Sequence, residues 1–128
     1  MRSRVASEFV GVVLLSLLLS TVSGCSGSPG RLQPEAAAVD AVLGAADGDA
    51  EMVRSVCVDE QTGDAVYEEM SRLLVGLDSV YVEEQQVVPV GDGLFFVPLD
   101  GGRGGKGVTL EIVERRHMWV VVRVASSR

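Results

Sequence analysis

The chain has 128 residues, with 18 acids against 11 Lys and Arg and a formal net charge of −7. That length fits one domain and not two. The acidic excess excludes the basic surface by which proteins hold nucleic acid, and two cysteines cannot form a disulfide framework.

Arg2 and Arg4 precede a mostly apolar run from Phe9 to Val22, and the small residues Ser23 and Gly24 follow it. A positive start, a short apolar core and a small-residue exit predict a secretory signal peptide over residues 1–24. A membrane-spanning helix needs about 20 apolar residues, so a retained anchor is the weaker reading. Cys25 stands at the exit. The order Val22-Ser23-Gly24-Cys25 resembles the lipobox of bacterial lipoproteins: an aliphatic residue, a small one, Gly or Ala, then Cys. The resemblance implies a diacylglyceryl thioether on Cys25 and cleavage between Gly24 and Cys25, and leaves open acylation of the new amino group. A thiolate is the required nucleophile, and two acyl chains at about 0.8 kcal/mol per buried CH₂ hold a protein where one does not. The alternative is an ordinary signal peptide followed by a cysteine of no special role.

Losing Arg2, Arg4 and Glu8 with residues 1–24 moves the net charge from −7 to −8, which opposes lying flat on anionic lipid. Once Cys25 is acylated, Cys57 has no partner within the chain and is expected to be a small buried hydrophobe. An intermolecular disulfide is the alternative. Residues 25–33, the lipidated cysteine and a Gly/Ser/Pro-containing stretch, read as a flexible tether. Ser26–Gln33 reaches roughly 25–30 Å when stretched.

The domain is expected over 34–128. Pro34 suits a first helical turn and Glu35 its positive end. Val39, Val42, Leu43 and Ala46 then recur at helical spacing until Asp47-Gly48. Asp49 can cap a second helix with Met52, Val53, Val56 and Cys57 inward. Thr62 or Asp64 can cap a third, whose stripe is Val66, Met70, Leu73, Leu74 and Leu77, with Gly76 near its end. From Ser79 the period becomes two, giving a strand through Val90, a hairpin signal at Gly91-Asp92-Gly93 and a second strand from Leu94 to Leu99. The glycine-rich loop 100–107 resembles a phosphate loop only in composition, because no Gly-Lys-Ser/Thr and no helix follow it. Val108–Glu114 and Met118–Ala125 form a last hairpin. A three-residue turn, Arg115-Arg116-His117, would pair Ile112 with Val120, Leu110 with Val122 and Val108 with Val124, making one face wholly aliphatic. His117, the only histidine, is then a left-handed turn residue rather than a base or ligand.

Three helices followed by a four-stranded antiparallel meander predict an α+β domain with the helices on one sheet face. Ala41-Val-Leu-Gly-Ala-Ala-Asp-Gly-Asp-Ala-Glu-Met-Val53 and the late strand Trp119-Val-Val-Val-Arg-Val124 resemble the small nuclear-transport-factor-2-like (cystatin-like) domains of actinobacterial lipoproteins, over roughly residues 35–125. Ten Arg against one Lys, one Ile and no Asn agree with a GC-rich bacterial genome. Such a fold hosts enzymes, binding modules and assembly subunits alike, so it does not decide function.

Two surfaces emerge as candidates. Under the expected register, Val113, Trp119 and Val121 share the face away from the helices, an aromatic with aliphatic neighbours that would meet a partner in the cell envelope or a second copy. Arg103, Lys106, Arg123 and Arg128 could face lipid head groups. No His, Cys and carboxylate cluster has metal-ligand spacing, no cofactor motif is present, and Tyr81 with Glu83 resembles an isomerase site only loosely. No catalytic residue is assigned. The expectation is a lipoprotein on the outer face of the cell membrane, held by its lipid anchor, acting as a non-catalytic binding or scaffolding module. The alternative is a carrier of a small apolar ligand between helices and sheet.

Overall fold

A computed structural model describes residues 29–77, 79–100 and 105–127. The expected signal-peptide motif Val22-Ser23-Gly24, Cys25, Arg103 and Arg128 lie outside them, as do residues 101–104 of the glycine-rich loop.

Three helices precede a four-stranded antiparallel sheet: α1 (Pro34–Ala46), α2 (Ala50–Val56), α3 (Glu60–Leu74), a 3₁₀ turn (Glu84–Gln86), β1 (Val88–Gly91), β2 (Leu94–Pro98), β3 (Gly107–Arg115) and β4 (Met118–Ser127). The strands follow one another in the order β1-β2-β3-β4. The expected α+β architecture is what is found.

α1 starts on Pro34 with Glu35 in its first turn. Its buried residues, Ala37, Ala38, Val39, Ala41, Val42, Gly44 and Ala45, occupy most of its circumference. A helix apolar on so many sides belongs in the interior. α2 is capped by Asp49, whose carboxylate accepts the Met52 N–H at 3.1 Å. Met52 itself is exposed rather than inward. α3 is capped by Asp59, which accepts the Thr62 N–H at 2.7 Å, so it opens earlier than the expected caps Thr62 and Asp64. That bond holds the Asp59 carboxyl below the usual carboxylate range. Asp64 instead receives Arg54 Nε at 2.7 Å and ties α2 to α3. The two helices meet at Gly63, where a Cβ would lie 2.8 Å from the Arg54 Cα.

The expected strand from Ser79 to Val90 is cut into three pieces. Tyr81 bridges in parallel to Asp100, the Glu84–Gln86 turn follows, and only Val88–Gly91 joins the sheet. The run Glu83-Glu84-Gln85-Gln86 contributes no apolar side chain to bury, while Val87 beyond it is buried. The 3₁₀ turn reverses the parity so that Val87 can face inward.

The sheet register departs from expectation at the last hairpin. Arg115 pairs with Met118 across a two-residue turn, not a three-residue one. Both turn residues are left-handed, Arg116 at φ 55° and His117 at φ 69°. This is the backbone that matches the twist of a tight hairpin. Ile112 pairs with Val121, not Val120, and Leu110 with Val124, not Val122. Two irregularities reset the ladder: Val122 and Ala125 are left without partners on β3, and Arg123 comes opposite Glu111 and away from Leu110. The bulges therefore keep Arg123 off the face of Leu110 and Ile112, while Val120 exchanges faces with Trp119 and Val121 relative to expectation.

Facing the helices are Phe95, Val97, Val108, Leu110, Ile112 and Val121, all nearly or fully buried. They pack with Val42, Val53, Val56, Val66 and Met70 into one core.

Candidate functional site

The first described residues are docked rather than free. Gly30 N–H donates to the Ser55 carbonyl at 2.8 Å, and Arg31 exchanges backbone bonds with Trp119 at 3.0 and 2.7 Å. The Arg31 guanidinium reaches Asp40 at 2.7 Å on α1. Gly30 is buried at φ 111°, and a Cβ there would lie 2.7 Å from the Trp119 carbonyl oxygen. Pro29–Arg31 thus forms a clasp over the outer edge of β4. Next to it, Val58 N–H donates to the Val121 carbonyl at 3.2 Å. The stretch expected to be a tether through Gln33 is part of the domain from Pro29 onward.

The clasp and the register together redistribute the candidate interaction residues. Val121 is fully buried and Trp119 packs against the same helix-side core. Val113 lies on the opposite face, paired with Val120. Val113, Trp119 and Val121 therefore do not form one exposed surface. The difference traces to the turn: a two-residue turn sets Glu114 opposite Trp119 and Val113 opposite Val120, where a three-residue turn would set Val113 opposite Trp119. The open sheet face instead carries Val88, Leu94, Phe96 and Val113 with the ion pair Arg123–Glu111 at 2.6 Å. Val88 is 48% exposed.

Of the proposed lipid-facing cations only Lys106 and Arg123 are among the described residues, and they stand apart. Arg123 is paired on the sheet face, while Lys106 sits exposed beside the loop that joins β2 to β3.

Beyond Val121, no described segment bridges to the outer edge of β4. A groove of about 390 Å³ runs there, between α3 (Gln61, Thr62, Ala65, Val66, Glu69) and β4 (Val122, Arg123, Val124). Backbone groups at an uncovered sheet edge can receive an extended segment. Periodicity could not have revealed this groove, because it exists only once the clasp covers half of the edge and leaves the rest.

Two further grooves flank Pro29. One, of about 430 Å³, is lined by Pro29, Val58, Arg115 and Arg116. The other is lined by Pro29, Glu51, Arg54, Ser55, Cys57, Asp59 and Glu60. Cys57 is fully buried, and burial, with Asp59 nearby, pushes its thiol up to about 12. It is a neutral core residue.

Tyr81 donates its hydroxyl to Glu83, and the Gln85 amide reaches the same carboxylate at 3.1 Å. These groups sit on an irregular surface segment, and Tyr81 is 51% exposed. Among the described residues no group of three His, Cys, Asp or Glu side chains could hold a metal ion, and no helix is long and apolar enough to cross a membrane. No protein-family description, curated protein or solved structure matches the chain.

Proposed function

We propose that the protein is an extracytoplasmic lipoprotein, anchored through Cys25 at the outer face of the cell membrane, whose domain binds or scaffolds a protein partner. The observation that carries this reading is the motif Val22-Ser23-Gly24-Cys25, separated by three residues from the docked clasp at Pro29. A lipid at that cysteine would attach directly to a folded domain. The likeness to nuclear-transport-factor-2-like domains of actinobacterial lipoproteins agrees with this reading.

The groove between α3 and the free edge of β4 is the surface best suited to a partner. It offers a strand edge that no described segment pairs, apolar Val66, Val122 and Val124, and the charged Glu69 and Arg123 at one place. That mixture of apolar centre and polar rim is usual for protein interfaces. The interior supports a binding surface over an apolar carrier, because Val42, Val53, Leu110 and Ile112 fill the space between helices and sheet. None of these four residues lines the groove along β4 or the two beside Pro29.

The test is a photocrosslinker at Ala65, exposed on α3 in the groove, compared with one at Asp47, exposed at the end of α1. A discrete envelope-protein adduct from Ala65, absent from Asp47 and lost with Val122→Asp, is expected. No adduct from Ala65, together with a lipid retained by the purified domain in native mass spectrometry, would favour the carrier instead.

A further inference from the structure

The clasp fixes where a lipid anchor would meet the domain. Three residues, Ser26, Gly27 and Ser28, separate Cys25 from Pro29. Four Cα steps span at most about 14 Å. β3 rises about 3.3 Å per residue, so the nine steps from Lys106 to Arg115 cover roughly 30 Å. The anchor therefore joins the domain at the end that carries the β3–β4 turn.

That end is chemically two-sided. On one side of Pro29 stand Arg115 and Arg116, neither in an ion pair with a described residue. On the other stand Glu51, Asp59 and Glu60, with Arg54 already committed to Asp64. Glu114 alternates with Arg115 and lies on the helix side of β3, opposite Trp119. The clasp runs antiparallel to β4, so Leu32 follows the Arg31–Trp119 pair in the direction of the turn. Leu32 is 77% exposed. Two guanidinium groups with no ion pair among the described residues and a bare leucine, where an acyl anchor at Cys25 would root, match the charged and apolar layers of a lipid surface.

We propose that the domain stands on anionic phospholipid through Leu32, Arg115 and Arg116, tilted so that the Glu51, Asp59 and Glu60 side is lifted away. This rests on the lipidation of Cys25 proposed above. It replaces Arg103, Lys106, Arg123 and Arg128 as the lipid-facing cations. Each basic side chain near an anionic surface shifts such an equilibrium about fivefold, so the pair contributes roughly twenty-fivefold.

The test uses the full, lipid-bearing protein in phosphatidylcholine vesicles with and without phosphatidylglycerol. A fluorophore is placed singly by Leu32→Cys, Glu51→Cys or Lys106→Cys, and read against a quencher fixed at the lipid head group. On anionic vesicles, strong quenching at position 32, weak quenching at 51 and none at 106 are expected. Arg115→Gln with Arg116→Gln, or removal of phosphatidylglycerol, should bring the signals at 32 and 51 together. That double substitution also separates attraction by the protein from attraction by the fluorophore. Equal quenching at 32 and 106, or a difference between 32 and 51 that survives the double substitution, overturns the orientation. The mass of the amino-terminal peptide is read on the same sample. An unmodified Cys25 sinks the anchor and this orientation together, whereas a lipidated Cys25 with equal quenching sinks the orientation alone.

Discussion

Replacing Gly30 with alanine is expected to open the clasp while leaving the core folded. Gly30 sits at φ 111°, and the added Cβ would fall 2.7 Å from the Trp119 oxygen and 2.9 Å from Val120 Cγ1. The left-handed backbone alone costs a residue with a side chain on the order of 1–3 kcal/mol. The collision strikes the carbonyl that receives Arg31 N–H, so relief comes by undocking. Undocking forfeits three backbone bonds: Gly30 to Ser55 and the Arg31–Trp119 exchange. At about 1 kcal/mol each, they set a ceiling near 3 kcal/mol. We therefore expect a loss of about 2–3 kcal/mol, a fall of roughly 1–2 M in the urea midpoint. Trp119 is the only tryptophan, so its emission reports the clasp directly, and Gly30→Ala should shift it red and expose it to acrylamide. Gly76→Ala is the matched control, at φ 92° with no atom within 4 Å of the new Cβ. It should lose only the backbone-strain portion and leave the emission unchanged. A Gly30→Ala protein with native emission and native stability would refute the docking of Pro29–Arg31.

Three further outcomes follow from the same structure. Val121→Thr places a hydroxyl in a fully buried site and should cost about 1–3 kcal/mol in urea unfolding. Val113→Thr, on the open face, should stay within about 0.5 kcal/mol, and equal costs would contradict the register. Gly63→Ala improves helix propensity by about 1 kcal/mol, yet should destabilise by about 1–3 kcal/mol net, because its Cβ meets Arg54 Cα at 2.8 Å; a stabilised variant would disprove the close crossing of α2 and α3. Burial raises the Cys57 thiol from 9.0 to about 12, so folding favours the protonated form. Its contribution is complete below pH 9 and is lost as pH rises from 9 toward 12, with a slope of up to about 1.4 kcal/mol per pH unit. Cys57→Ala should lack that slope, and the native thiol should resist iodoacetamide until the protein unfolds.

The helices and the order of elements were readable because each rests on local chemistry. Pro34 opens α1, Asp49 caps α2, and Val66, Met70 and Leu73 line one side of α3. The strand faces were readable only in part. Alternation identified Leu110 and Ile112 as core residues, yet it could not assign their partners on β4. A bulge changes parity without leaving a mark in a run such as Val120-Val121-Val122, where every residue is equally fit to be buried. The face of Trp119 is lost with it: the bulge moves Arg123 away from Leu110, and without the bulge a two-residue turn is disfavoured, although two residues are what set Trp119 opposite Glu114. The clasp was hidden for another: Ser28-Pro29-Gly30 has the composition of a linker, and its docking depends on a β4 edge assembled from residues about ninety positions later. His117 is legible as a left-handed turn residue, and it is one; that Arg116 shares the conformation decides the turn length.

The most direct measurement is the intact mass of the mature amino-terminal peptide, taken from protein that partitions into detergent. Lipoprotein processing predicts a chain that begins at Cys25 and carries a diacylglyceryl thioether, with Cys25→Ser left unprocessed and free of lipid. A chain that begins elsewhere, or a bare Cys25 on protein still held at the membrane, would contradict it.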